Sequence, residues 1–420
     1  MSIAPADVTT SPAAAGTARS EDYLWTLNFG PQHPATHTTL RLVLKLDGER
    51  VVDAMPEMGY LHSGFEKIGE HLTYNQYVTV TDRMNYISPM ANNVAWHHAV
   101  ETLLGIELTP RCRTIRTIIA ELARISDHLL SNGAVGLDTG AFTFFLYAFY
   151  QREVLYDIFE TLCGARFTNS WTRVGGVSQD FTPLVIEKIR TFVKTFPKTL
   201  DDMERLLTRN RIFVDRTKGV GVLSKEEATN AGAPGPVARA SGVTRDLRKD
   251  EPVLCYADNW DGEGADPVKF SVAMGSKGDC FERYLVRMEE VKQSAKIIDQ
   301  LIDRIPKGPM NVGADSKAVI PPKGDVYGSI EGTIQLFELI MHNRGWDVPV
   351  AETYTAIESP NGELGFFLVG AGGKYPWRVR CRPPCFINYS VFPKLIEGHQ
   401  LADVVAVIGS INVIAAELDR

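Results

Sequence analysis

From Ile115 to Leu129, apolar side chains recur at 115, 118, 119, 122, 125 and 129, a spacing that lines one face of an α-helix. Gly133 is suited to end that helix, and a second apolar-periodic run, Phe142 to Cys163, is followed by Gly164 as a cap. Two long adjoining runs of this kind commit the chain to packed helices. Further helical patterns cover Pro183 to Asn210, divided at Pro197, and Asp279 to Ile305, with Asp279 as N-cap. Tyr327 to Asn343 and Leu401 to Leu418 complete the helical set.

Strands are expected at both ends. Leu40, Leu42, Leu44 and Leu46 alternate with Thr39, Arg41 and Lys45 before Asp47-Gly48 and Val51-Val52, which is a β-hairpin signal. A second antiparallel region runs from Ala351 to Ile357, turns at Asn361-Gly362, continues through Phe366 to Val369 and returns as Trp377 to Arg380. Ser224 to Pro236 and Pro306 to Asp325 are expected as flexible connections, and Asp258 to Asp266 as a surface loop. The fold class is therefore α+β: a mainly helical bundle with small antiparallel β regions near the N-terminus and in the C-terminal third. Residues 1–20, with no apolar core and few charges, are expected to be a disordered tail on a cytoplasmic protein, and residues 21–420 a single domain.

Composition narrows the function classes. Forty-four basic against 51 acidic residues leave a net charge of -7, opposite to the excess that phosphate binding needs, so nucleic acid is set aside. The apolar runs Phe142 to Tyr150 and Val404 to Ala416 fall short of the ~20 residues of a membrane span. Six cysteines include no C-x-x-C pair, and Cys381-Arg-Pro-Pro-Cys385 reads as two buried thiols rather than metal ligands. No G-x-G-x-x-G and no P-loop occurs, so a nucleotide would have to be handled elsewhere.

Three places hold residues fit for chemistry. In Gly30-Pro-Gln-His-Pro-Ala-Thr-His37, Pro34 disfavours helix at His33, so the two histidines do not make an i, i+4 metal pair. A single imidazole presented from this turn can exchange protons near neutral pH, although a structural hydrogen-bonded histidine is the reading the residues favour. Tyr86, in Thr81-Asp-Arg-Met-Asn-Tyr86, offers a hydroxyl donor, with core or rim the favoured reading. Asp138 is expected on spacing alone to be the N-cap of the following helix; its alternative is a carboxylate in an apolar wall, paired with a histidine. Arg111, Arg113 and Arg116, and Arg378, Arg380 and Arg382, are taken as solvated or ion-paired faces, with an acidic partner or lipid as the alternative.

Taken together, Asn28-Phe-Gly-Pro-Gln-His-Pro-Ala-Thr-His37, Gly59-Tyr-Leu-His-Ser-Gly-Phe-Glu-Lys67, Thr81 to Tyr86, Arg173-Val-Gly-Gly-Val177, Gly278-Asp-Cys-Phe-Glu-Arg-Tyr284 and Tyr354-Thr-Ala-Ile-Glu358 resemble the D-subunit family of respiratory NADH-quinone oxidoreductase, complex I. That family is similar to the large subunit of nickel–iron hydrogenases. The resemblance implies a hydrogenase-type scaffold that has lost its metal, with Gly409-Ser-Ile-Asn412 near the former ligands, and kept a cavity for a quinone headgroup (ubiquinone or menaquinone). It implies His37 and Tyr86 as quinone ligands, Asp138 as the partner of His37, and no metal held by this chain.

It also implies an iron–sulfur cluster in the neighbouring terminal-cluster subunit, other peripheral-arm iron–sulfur subunits, and a quinone-channel membrane subunit as partners. Attachment would be peripheral, on the cytoplasmic side of the cell membrane, with quinone reduction coupled to proton pumping. Three positions depart from the family pattern. Ser63 stands where an arginine is frequent and Thr168 where a histidine is frequent, both near the partner's cluster, which implies a lower and less pH-dependent cluster potential suited to a quinone such as menaquinone. Asn412 stands where an acid is frequent. A related membrane-bound hydrogenase or ferredoxin-linked oxidoreductase subunit is the alternative, disfavoured by the missing cysteine pairs.

Overall fold

The computed structural model describes residues 23–37, 39–313, 319–341 and 346–420. The tail expected at residues 1–20 lies outside these, as does part of the Pro306 to Asp325 connection.

The N-terminal sheet is antiparallel, formed by β1 (Trp25–Phe29), β2 (Arg41–Asp47) and β3 (Arg50–Glu57) in that order. Leu42, Leu44 and Leu46 are fully buried while Lys45 and Asp47 face out, so the alternation in the sequence is the inward and outward sides of β2. The second sheet is also antiparallel and comprises β4 (Ala351–Ser359), β5 (Gly362–Gly370) and β6 (Pro376–Arg382), turning at Asn361-Gly362 as expected.

Between the sheets in the chain lie five long helices: α1 (Pro89–Leu104), α2 (Pro110–Asp138), α3 (Phe142–Cys163), α4 (Pro183–Leu207) and α5 (Cys280–Ile302). Proline opens α1, α2 and α4 at the first helical position, where its missing N–H costs nothing. The Thr109 and Thr182 hydroxyls cap α2 and α4, and the Asp279 carboxylate caps α5 by accepting the Glu282 N–H at 2.8 Å. Ile115, Ile118, Ile119, Leu122, Ile125 and Leu129 of α2 are buried against α3, α4 and α5 in one core. Helix α1 is buried almost all round because it separates α2 from the second sheet. A further core joins the first sheet to α7 (Leu401–Ile411); the amphipathic α6 (Ile330–Ile340) precedes the second sheet.

Five boundaries differ from expectation; the first is in the expected helix Tyr327 to Asn343, where Ser329 is extended and separates the helix Lys323–Gly328 from α6. Helix α2 runs past Gly133 to Asp138, because a Cβ at Gly133 would lie 3.2 Å from Ala148 Cβ; the glycine serves close approach to α3 and not termination. Helix α4 continues through Pro197, held by a buried seam of Val193, Phe196, Leu200 and Met203. Leu401 to Leu418 is broken at Asn412, which takes a left-handed φ of 59°. The expected flexible stretch Ser224 to Pro236 contains the helix Lys225–Asn230 with a Ser224/Glu227 capping box. Arg116 is not on a solvated face: it is buried and makes a two-pronged pair with Glu101 at 2.8 and 2.9 Å.

Candidate functional site

His37 ends a short 3₁₀ turn, Pro34–Thr36, that is capped at its other end by the His33 ring accepting the Ala35 N–H at 3.1 Å. The two histidines are thus used differently, one as a cap and one pointing away. His37 has φ 57°, a left-handed geometry tolerated by few non-glycine residues, and it aims the imidazole at the end of α2. There Nε2 lies 2.5 Å from Asp138 Oδ2, with the side chains 24% and 11% exposed.

The N-cap reading of Asp138 does not hold. Asp138 is the last residue of α2, and the N-cap of α3 is Ala141, which offers no side chain. The carboxylate is free to hold and orient the imidazole. Gly409 of α7 closes the third side. A Cβ there would lie 3.4 Å from His37 Cε1, 3.6 Å from Asp138 Oδ2 and 3.0 Å from Val135 Cγ2.

Tyr86 is half-buried at the other end of the same wall. Its ring packs against the small cluster of Ile87, Cys385 and Ile414, on which Leu130 of α2 also packs, and lies 6.3 Å from the Phe167 ring. Burial raises its pKa and the nearby Cys385 adds to the rise, so the hydroxyl keeps its proton at neutral pH. Among the described residues no hydrogen bond engages this hydroxyl. Helix α2 and the segment 409–414 therefore link the two sequence-predicted groups: His37 meets them at Asp138 and Gly409, and Tyr86 packs on the cluster that holds Ile414 and takes Leu130 from α2.

Between these ends runs a buried polar cluster that the motifs did not single out. Asn412 Nδ2 donates to Asp127 Oδ1 at 2.7 Å and to Asn361 Oδ1 at 2.6 Å, and Asn361 Nδ2 lies 3.4 Å from Cys385 Sγ. Asn412 is thus an amide facing an acid: the carboxylate comes from Asp127 on α2. One signal was available, since Asp127 precedes Asp138 by about three helical turns and so shares its face of α2. Cys381 and Cys385 are buried thiols with pKa values pushed well up by burial. Glu417 completes the cluster by accepting the Cys385 N–H at 3.2 Å.

Ser63 is exposed in the loop before Phe65, its hydroxyl 3.4 Å from the Leu61 carbonyl oxygen, and Thr168 is half-buried with φ 32°. Neither contacts His37 or Tyr86 through any hydrogen bond in the described residues. A groove of about 600 Å³ lies elsewhere, between α4 and α5, lined by Val193, Leu200, Ala295 and Ile302 with Lys194 and Lys296 at its edge. Among the described residues no helix is long and apolar enough to cross a membrane, and no three His, Cys, Asp or Glu side chains gather as metal ligands.

Fold and site define an α+β chain with a solvent-reachable imidazole–carboxylate pair and a half-buried phenol on one helical wall, an arrangement able to donate protons and hydrogen bonds to a bound acceptor. Comparison with known proteins makes the class specific. The profile of the family described as respiratory-chain NADH dehydrogenase, 49 Kd subunit, matches residues 138–420. Among similar proteins, the NADH-quinone oxidoreductase D subunit of Methylacidiphilum infernorum is 48% identical over 94% of this chain and 91% of its own length. The D subunit of Akkermansia muciniphila is 45% identical over 97% of this chain and 98% of its own, and that of Leptospira biflexa 47% over 94% of each. The chain belongs to this family of complex I subunits, as the resemblance of its motifs implied.

Proposed function

We propose that this chain forms most of the quinone-reduction site of a proton-translocating NADH-quinone oxidoreductase, as a hydrogenase-large-subunit-like domain spanning residues 21–420. The observation that carries the reading is the His37–Asp138 pair at 2.5 Å, at the end of the helix whose Leu130 packs on the same small cluster as Tyr86. Reducing a quinone takes two electrons and two protons. The electrons come from an iron–sulfur cluster in the neighbouring subunit; the protons and hydrogen bonds at the two carbonyl oxygens are the work of this chain. Tyr86 donates at one oxygen and His37 at the other, where each stabilises the charge that develops. Asp138 holds the His37 ring and balances its charge when protonated. Proton loss leaves buried charge uncompensated, and relaxation of the 409–414 segment and the His37 turn is the proposed link to distant proton pumping.

Ser63 and Thr168 face the partner's cluster in this proposal, as hydroxyls that leave its reduced form with little cationic support. NADH is oxidised in another subunit. The exposed apolar faces of α6 (Ile330, Ile334, Phe337, Ile340) and of α3 (Phe142, Leu146, Tyr150) support attachment to the cytoplasmic side of the membrane through partner subunits, the quinone-channel subunit among them.

The test is Tyr86→Phe, which removes one hydroxyl and leaves the ring packing. NADH:quinone reductase activity of membranes should fall by about tenfold or more, while NADH:ferricyanide activity, which draws electrons upstream, persists. Unchanged quinone reduction would sink the proposal.

A further inference from the structure

Behind Cys385, against whose cluster Tyr86 packs, lies an acid that the mechanism above leaves unused. Glu417, on the short helix Ala415–Asp419, is 2% exposed. Its Oε1 accepts the Cys385 N–H, whereas Oε2 is buried with no hydrogen-bond partner among the described residues. A full carboxylate charge beside a bare oxygen is costly in such a place, and a neutral carboxylic acid is not. A second buried acid faces the same cluster: Asp127 accepts from Asn412 at 2.7 Å and from Asn85 at 3.5 Å. Asp127 has these donors and the Arg287 guanidinium in its field; Glu417 has one backbone N–H, with the Cys385 thiol and the Asn361 amide as weaker neighbours. Two carboxyls in one dry site do not both ionise readily, and Glu417 is the one with the fewer donors. The remaining titratable neighbours of Glu417 are the thiols of Cys385 and Cys381, and beyond them Tyr86, Glu66 and Arg420. Burial, with Asp127 adding to it, pushes the Glu417 carboxyl up to about 7.

We infer that Glu417 is the proton reserve of this site: at rest it is the neutral member of the Asp127–Glu417 pair, and it restores the proton that Tyr86 gives up. The inference rests on the quinone-site reading above. The step is balanced: the Glu417 O–H bond breaks as the Tyr86 O–H re-forms, the electron pair stays on the carboxylate, and solvent later re-protonates it. Cys385 is their shared neighbour, since Tyr86 packs against its cluster and Glu417 accepts its N–H, and in this proposal its thiol relays the proton, taking one from Glu417 as it gives its own to Tyr86.

The experiment uses the whole membrane complex carrying Glu417→Gln. Glutamine keeps the volume and the acceptor for the Cys385 N–H but has no proton to give. Quinone reductase activity is expected to fall by about tenfold or more, with ferricyanide activity intact, and the alkaline limb of the pH–rate profile near pH 7 should vanish. A wild-type rate with a wild-type profile overturns the inference, because a purely structural Glu417 is rescued by glutamine. If ferricyanide activity is also lost, Asp127→Asn decides: removing the like charge should move the limb to lower pH, and an unmoved limb overturns the inference. Loss of quinone reduction in Tyr86→Phe with none in Glu417→Gln discards the reserve alone; retention in Tyr86→Phe discards the quinone-site reading beneath it.

Discussion

Gly409 shows how much of the candidate site rests on single atoms. Its missing Cβ is the space in which the His37 ring and the Asp138 carboxylate meet against α7. A valine would place its first carbon 3.0 Å from Val135 Cγ2 and its two methyls beyond that, toward His37 and Asp138. The strained φ of 57° at His37 leaves the imidazole few ways to retreat. Gly409→Val is therefore expected to part the pair and lower quinone reductase activity by about tenfold or more, with ferricyanide activity retained and Gly409→Ala intermediate. Equal activities across the three proteins would show that the pair does not need this contact.

Among the elements, α6 leaves an apolar face uncovered. Ile330, Ile334, Phe337 and Ile340 recur at helical spacing and are exposed, while Gly332 is the one buried residue of the helix. An amphipathic helix gains most of its stability by burying such a stripe, so this one is built to be covered. Phe337→Asp removes no core contact and should change the stability of the chain by no more than about 0.5 kcal/mol. It should instead release the chain from washed membranes, measured as the bound fraction on immunoblots; full retention would mean that another surface does the docking.

The whole molecule is tied together by buried charge. Arg239 binds Glu290 at 2.8 Å and Glu358 at 2.7 Å, Arg248 binds Asp246 at 2.8 Å and Glu121 at 3.3 Å, and His128 meets Glu290 at 2.8 Å, which joins α2, α5 and β4. Every side chain in this network is at most 3% exposed. Removing one partner leaves the others charged and dry, so Glu290→Gln should destabilise the fold by about 3–5 kcal/mol, measured by thermal unfolding. The pH dependence has a definite sign. The neighbouring guanidinium groups offset the burial of Asp246 and hold it at about 2, and with His128 they hold Glu290 well below the usual carboxylate range. Depressed acid pKa values give stability that is complete above the unfolded value of about 4 and is lost as pH falls from there toward 2. Acid unfolding followed by tryptophan fluorescence should begin below pH ~4 in the wild type and at higher pH in Glu290→Gln.

Local pattern by itself determined four of the five long helices and every strand of the two sheets but β1, because leucine alternation, helical spacing and the Asp279 cap act over a few residues; α1, buried almost all round, has no one-sided apolar stripe and was not legible. The motifs also determined the family and pointed to His37, Tyr86 and Asp138. Only the tertiary structure decided what interrupts an element: Gly133 and Pro197 read locally as stops, yet packing against α3 and a buried seam carried both helices through. Asn412, one of three interruptions in the apolar run Val404 to Ala416 beside Gly409 and Ser410, became the break because its amide answers Asp127 and Asn361 across the core. Asp138 read on spacing alone as a helix N-cap; only the family resemblance named it as the partner of His37, 101 residues away, where the structure places it. Asp127, Glu417 and Gly409 could not be singled out from the motifs for the same reason: burial, a missing donor and a missing Cβ are properties of neighbours that meet only when the chain has folded.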